Sequence, residues 1–257
     1  MNLPLIQFAV YALTAAGFVL GTRLKAYRWY LLPLLLPALV YAAYYLKVFS
    51  EPIWLYQLRS IPGSELLAAL AGVPAGAFYA ALAHSGRRVL PIALCALVFA
   101  PYIKFWLLPL NQSVLKETWE GGVCLQSTPS TCGPASAATL LRAMRIPITE
   151  RELALESYST ASGTENWYLA QALKRRGVDV TYLSTAPNPK KLVYPAIAGQ
   201  KLGGPQGAGH FIVVLAPQPD GYRIADPISG ERTLPFSEVQ NGPFYFTGFF
   251  MEVRRRL

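Results

Sequence analysis

Cysteine and histidine are scarce in this chain, whose 257 residues include three Cys and two His. Cys95, Cys124, Cys132, His84 and His210 show no CxxC or HExxH spacing, which argues against a zinc site or any resident metal. So few cysteines also exclude a scaffold built on disulfides. No glycine-lysine phosphate loop occurs, so ATP hydrolysis would have to come from a partner, and no cofactor is expected. Acids are few as well. Up to residue 111 only Glu51 and Glu65 stand against eight Lys and Arg, whereas beyond it twelve acids face fifteen bases. The formal charge of +9 therefore belongs mostly to the first part, which argues against a basic nucleic-acid surface on the second.

The first part has long uncharged runs instead. Leu3–Leu20, Tyr30–Leu46 and Leu66–Ala83 carry no charge, and Val89–Leu110 carries only Lys104. Each approaches the ~20 apolar residues of a bilayer span. The economical reading of residues 1–110 is an N-terminal α-helical membrane bundle of about four spans, near 3–20, 30–47, 66–83 and 89–110. The first run lacks a basic n-region and is read as retained rather than cleaved. Trp29, Tyr30, Trp54 and Tyr56 sit where interfacial anchors would, and Glu51–Pro62 is expected to lie along the membrane surface. Gly72 and Gly76 form a small-xxx-small pair, either a helix contact or chance in an alanine-rich run. Lys104 reads as a snorkelling residue near the end of its span. Loop charges set the orientation. Arg23, Lys25 and Arg28 in the first connection, and Arg87 and Arg88 in the third, outweigh the second, where Arg59 lies between Glu51 and Glu65 with Lys47 at the edge. By the positive-inside rule the second half emerges outside an inner or plasma membrane that the chain crosses several times. Residues 111–123 are a polar, glycine-ended connector.

The densest chemistry lies in residues 124–134, Cys-Leu-Gln-Ser-Thr-Pro-Ser-Thr-Cys-Gly-Pro. Ala135–Met144, rich in Ala and Leu, predicts a helix starting beside Cys132, with Pro134 suited to its first turn. The unpaired N–H groups and partial positive charge of a helix start favour thiolate. A lone cysteine is also, very often, a small buried hydrophobe.

Gly209–Leu215 is strand-like, and Pro217–Gly221 reads as the turn of a hairpin returning through Tyr222–Asp226. With the turn centred near Gln218, paired residue numbers sum to about 436, which sets His210 opposite Asp226. Asp226 would then fix the His210 tautomer and support the imidazolium formed when Cys132 loses its proton. Gln126 supplies an amide able to stabilise an oxyanion. Singly, His210 could be a sheet histidine, Asp226 the start of an Asp-Pro turn and Gln126 a solvated amide. Together they supply nucleophile, base, orienter and oxyanion donor.

Residues 124–257 resemble the papain-like cysteine peptidases that process bacteriocins, the double-glycine leader peptidase family. The resemblance is carried by Gln126 with Thr131-Cys132-Gly133-Pro134-Ala135, Gly163-Thr164 with Leu169 and Ala172–Gly177, Tyr194–Ile197, His210–Val214, and Asp226-Pro227 with Gly230. The family commonly has Asp where Thr131 stands. The resemblance implies a C-terminal α+β papain-like cysteine peptidase domain. It also implies peptide-bond hydrolysis through a thioester, with catalytic Cys132, His210 and Asp226, Gln126 at the oxyanion, and small residues such as Gly-Gly before the cut. Partners would be a peptide or protein substrate, membrane-associated or exported, the lipid bilayer, and a separate transporter, with no nucleic acid. Relatives fused to exporters work on the cytoplasmic side, against the loop charges here. Two other readings use the same residues: a thiol acyltransferase or transpeptidase passing the acyl group to an amine, and an inactive module gripping leader peptides beside an export system.

Helices are predicted at 133–144, at 149–157 with a Thr149/Glu152 cap, and at 164–176 ended by Gly177. Strands are predicted near 178–184, 194–199, 210–216, 221–225, 231–234 and 245–253, and helices before strands argue α+β. Cys124 reads as a buried structural thiol, or as a disulfide partner of Cys132 in an oxidising compartment.

Overall fold

A computed structural model describes residues 3–46, 48, 52–82, 85–186 and 192–256. Lys47, Glu51 and His84 lie outside the described residues. The chain forms two compact units, residues 1–52 with 61–107, and residues 53–60 with 108–257.

The first unit is helical: α1 (Leu3–Arg23) and α2 (Leu36–Tyr45), and later α4 (Gly72–Ala81) and α5 (Val89–Leu107). Between α2 and α4 runs α3 (Ile53–Arg59), which belongs to the second unit. A 3-10 stretch, Ser64–Ala71, leads straight into α4. Gly72 and Gly76 make a real helix contact, since a Cβ on either would collide with the α1 backbone, at Thr14 O and Phe18 O. Among the described residues, two helices, Pro4–Arg23 and Ser64–Ala81, are long and apolar enough to cross a bilayer, against the four expected spans. The expected second span is seen only as a shorter apolar helix. Pro33 and Pro37 break the run into a 3-10 turn and α2, and Leu32–Tyr45 rises about 21 Å at 1.5 Å per residue, short of a ~30 Å hydrocarbon core.

The second unit begins with α3, which packs into that unit's core. Leu55 and Tyr56 are buried, and the Tyr56 ring meets those of Phe249, Tyr182 and Trp167 at 5.5, 5.8 and 6.3 Å. Arg59 stacks on Trp167 at 5.1 Å, and its carbonyl accepts from Gln171 Nε2 at 3.0 Å. Of the residues read as interfacial anchors, Tyr56 is thus buried among aromatics of its own unit, whereas Trp29, Tyr30 and Trp54 stay largely exposed.

A short ribbon, β1 (Thr118–Glu120) and β2 (Val123–Leu125), precedes α6 (Cys132–Ala143), α7 (Glu150–Glu156) and α8 (Asn166–Arg175). Thr149 and Glu152 form the capping box read from the sequence, and Gly177, at φ 78°, closes α8 in the left-handed conformation a Cβ disfavours. The strands are β3 (Val178–Ser184), β4 (Ala196–Leu202), β5 (Ala208–Gln218), β6 (Gly221–Asp226), β7 (Gly230–Pro235) and β8 (Phe244–Arg255), with α9 (Phe236–Asn241) before the last. They form one antiparallel sheet in the order β3-β8-β4-β5-β6-β7. Ile212, Val214, Ile224, Phe246 and Phe250 share a fully packed cluster with Val239 of α9.

The β5–β6 register departs from the expected one. Gln218 pairs with Gly221, so the turn is Pro219-Asp220 and paired numbers there sum to 439. A bulge at Leu215 shifts this, and Val214–Ile224 and Val213–Ala225 sum to 438. One further step sets Asp226 across from Ile212, so His210 is its diagonal neighbour on the same face rather than its direct partner. Strand side chains alternate faces, so an unbulged ladder would have turned His210 away from Asp226.

Candidate active site

Cys132 is the first residue of α6, under the unpaired N–H groups of its opening turn. Its strand partner is fixed by two contacts. Ser136, one turn on, donates from Oγ to the Phe211 carbonyl at 2.9 Å, beside His210. A Cβ at Gly133 would stand 3.4 Å from the side chains of Leu169 and Phe211, so glycine lets the helix start nest against α8 and β5. His210 is 5% exposed and Asp226 2% exposed, and His210 Nε2 meets Asp226 Oδ1 at 2.9 Å. This leaves Nδ1 for the Cys132 thiol, the other hydrogen-bond partner of the imidazole.

Burial by itself pulls the His210 imidazole down. Its bonds to Asp226 and Cys132, and their charges, outweigh burial and push it up to about 9. Burial likewise raises the Asp226 carboxyl, yet His210, the Ile228 N–H and Ser229 together hold it below its ordinary value. Asp226 is held by more than the sequence reading supplied: Ile228 N–H donates to Oδ1 at 2.9 Å, and Ser229 Oγ and Arg232 donate to Oδ2, each at 3.0 Å. Ser229 is legible in retrospect, as Asp-Pro-x-Ser is a side-chain-bonded turn. Arg232, reaching over from β7, left no local signal.

Gln126 is tied to the acid's loop by its backbone, whose N–H donates to Pro227 O at 2.8 Å. Its Nε2 donates to Thr128 O at 2.9 Å, the carbonyl that also receives the Thr131 N–H at 3.1 Å just before Cys132. Thr131, fully buried, accepts the Thr128 N–H on its hydroxyl at 3.1 Å. It thereby serves as the side-chain acceptor of this turn where the family commonly has Asp. Cys124 is buried and free, and its N–H bonds Thr139 of α6 at 2.8 Å. Burial, then the Glu150 carboxylate, push its thiol up to about 12, so it stays protonated at neutral pH. Gln200, directly opposite His210 on β4, is 1% exposed. Neither of its amide atoms has a hydrogen-bond partner among the described residues. Sequence reasoning missed it, and its strand context gave no hint.

An imidazole held between a buried carboxylate and a thiol at a helix start can take the thiol proton and keep it as a charged donor. The peptidase C39 family matches residues 121–256. A protein of Methanothermobacter thermautotrophicus, described as uncharacterized, is 29% identical over 136 residues, which is 52% of this chain and 88% of that one. Among solved structures, a double glycine motif protease from an AMS/PCAT transporter, in complex with the leader peptide, is 18% identical over 55% of this chain and 90% of its own, with a TM-score of 0.42. The peptidase domain of Streptococcus ComA, a bi-functional ABC transporter involved in quorum sensing, is 18% identical over 55% and 98%, with a TM-score of 0.45.

Proposed function

The chain belongs to the peptidase C39 family and is a cysteine-type peptidase, and on that premise we propose that it cleaves peptides or proteins at a membrane with Cys132 as nucleophile. Cys132 Sγ attacks the scissile carbonyl, and the oxyanion forms within reach of the Gln126 amide. His210 hands the thiol's proton to the leaving amine, the C–N bond breaks, and a thioester remains. A water activated by the now neutral His210 then attacks the thioester and releases the acid and the thiol. Asp226 keeps Nε2 protonated and the ring aimed throughout. The observation that carries this reading is the His210–Asp226 bond at 2.9 Å with Cys132 on the other side of the imidazole. The proposed substrate, a membrane-associated or exported peptide cut after small residues such as Gly-Gly, rests on the motif resemblance. So does a separate transporter as partner.

The pH profile tests the pair. Catalysis needs the protonated imidazole as acid, so kcat/KM should fall as pH rises through about 9. Asp226→Asn removes the raising bond and charge, so this alkaline limb should move down by about 1–3 units. An unmoved limb would remove Asp226 from the role. Stability follows the same signs. His210, raised from 6.5, stabilises the fold fully below that value and loses the contribution as pH rises through about 9. Asp226, lowered from 3.8, contributes above that value and loses its share on acidification.

The helical unit is proposed to anchor the enzyme, in the full reading by about four spans, with the peptidase domain outside an inner or plasma membrane. Besides the loop charges, α3 supports an even number of crossings between it and the domain. Residues 53–60 and 108–257 share one unit and must lie on one side of any bilayer, and in this reading Ser64–Ala81 and α5 are the two crossings between them. An impermeant maleimide added to intact spheroplasts should label Cys132. Labelling only after permeabilisation would place the domain in the cytoplasm.

A further inference from the structure

Glu150 is a fully buried carboxylate that no step above uses. It opens α7, and both its oxygens are spent on one residue. Oε1 accepts the Ser127 N–H at 2.9 Å, and Oε2 lies 2.5 Å from Ser127 Oγ. That hydroxyl also accepts the Lys116 N–H at 2.7 Å and stands 2.6 Å from the Lys116 carbonyl oxygen. Ser127 is the chain neighbour of Gln126, whose own N–H is held by Pro227 O. The peptide units on both sides of the Gln126 Cα are thus pinned, one to the loop after Asp226 and the other to Glu150. Burying a carboxylate costs several kcal/mol unless it is well hydrogen-bonded, and charge-assisted bonds such as these are roughly twice as strong as neutral ones. A helix opening on the protein surface would ordinarily present its first glutamate to water, whereas this one turns it inward onto a single loop residue.

We propose that Glu150, acting through Ser127, is a positioning residue that fixes the Gln126 amide as the oxyanion donor for Cys132. The proposal rests on the assignment of Gln126 to that role. An oxyanion donor works only within about 2.7–3.1 Å of the developing charge, and a shift of about 1 Å can cost 10²-fold. Gln126 projects from an irregular segment after β2 with no ladder of its own, so its backbone needs such an external fixture.

Two reagents separate this role from general damage to the site. Iodoacetamide alkylates the thiolate by direct displacement and forms no oxyanion. Acylation by p-nitrophenyl acetate passes through a tetrahedral oxyanion: sulfur attacks the acyl carbon, p-nitrophenolate leaves, and a thioester forms. Both rates are measured on the detergent-purified full chain, with modification of Cys132 read by mass spectrometry. Gln126→Ala and Glu150→Ala should each slow acylation about tenfold or more, and Ser127→Ala, which keeps the N–H bond to Glu150 and loses the hydroxyl contact, should slow it by less, while alkylation stays near the parent rate. The Gln126→Ala/Glu150→Ala double variant should be no slower than Gln126→Ala alone. Ser127→Ala decides the matter if Glu150→Ala does not fold. If Gln126→Ala slows acylation and the other two do not, or if they slow both reactions equally, the positioning role is overturned and Gln126 keeps its own. If Gln126→Ala leaves acylation unchanged, the oxyanion assignment fails and takes this inference with it.

Discussion

Replacing Cys132 by alanine should lower turnover by about 10⁴-fold or more, because the thioester pathway then has no nucleophile. Cys124→Ala should keep most of the activity, since that thiol is buried and held neutral by burial and Glu150. His210→Ala should approach the cysteine variant, as its ring bridges nucleophile and carboxylate. The measurement is mass spectrometry of peptides from membranes carrying each variant. Continued cleavage by the Cys132→Ala protein, with undiminished products, would assign the chemistry elsewhere. Accumulated uncut peptides in that strain would identify the natural substrate directly.

The second large effect concerns α3. A fragment beginning at residue 108 has the whole family match but lacks the helix that covers Trp167, Tyr182 and Phe249. Leu55 and Tyr56 each contribute about 1.5–3 kcal/mol by burial. The lost partners, Ser60 Oγ for the Tyr182 hydroxyl at 2.6 Å and the Arg59 carbonyl for Gln171, add about 1 kcal/mol each. A loss of about 5–8 kcal/mol is comparable with the stability of a whole domain, and should lower Tm by about 10–30 °C. Restoring residues 52–62 through a flexible linker should recover most of it. Equal melting temperatures with and without the segment would show that α3 rests on the domain without supporting it.

Local signals carried much of the second unit. Thr149 with Glu152, Gly177 after α8, and the β-branched run in β5 each act through neighbours a few residues away, and each appears where its chemistry requires. Long-range effects were not legible. Tyr56 read as interfacial because an aromatic residue after an apolar run looks the same whether it meets lipid or a folded domain. The β1–β2 ribbon and α9 are too short for periodicity to register. The proximity of His210 to Asp226 was readable only because an assumed sum of 436 shares its parity with the observed 438. Arg232 and Glu150 reach their targets from other elements, and no spacing announces such contacts.

The bulge at Leu215 divides the hairpin into two regions that tolerate changes in length differently. Between the bulge and the tip at Pro219-Asp220, one inserted or deleted residue alters a solvent-facing turn, and the ladder inside is undisturbed. Between His210 and Val214 the same change rotates the imidazole to the opposite side of the sheet, because each added residue reverses the direction in which every side chain beyond it points. Length changes are therefore better tolerated at the exposed Pro219-Asp220 tip, short of the buried Tyr222, than in the four residues separating His210 from Leu215, whose number sets the face on which the imidazole lies.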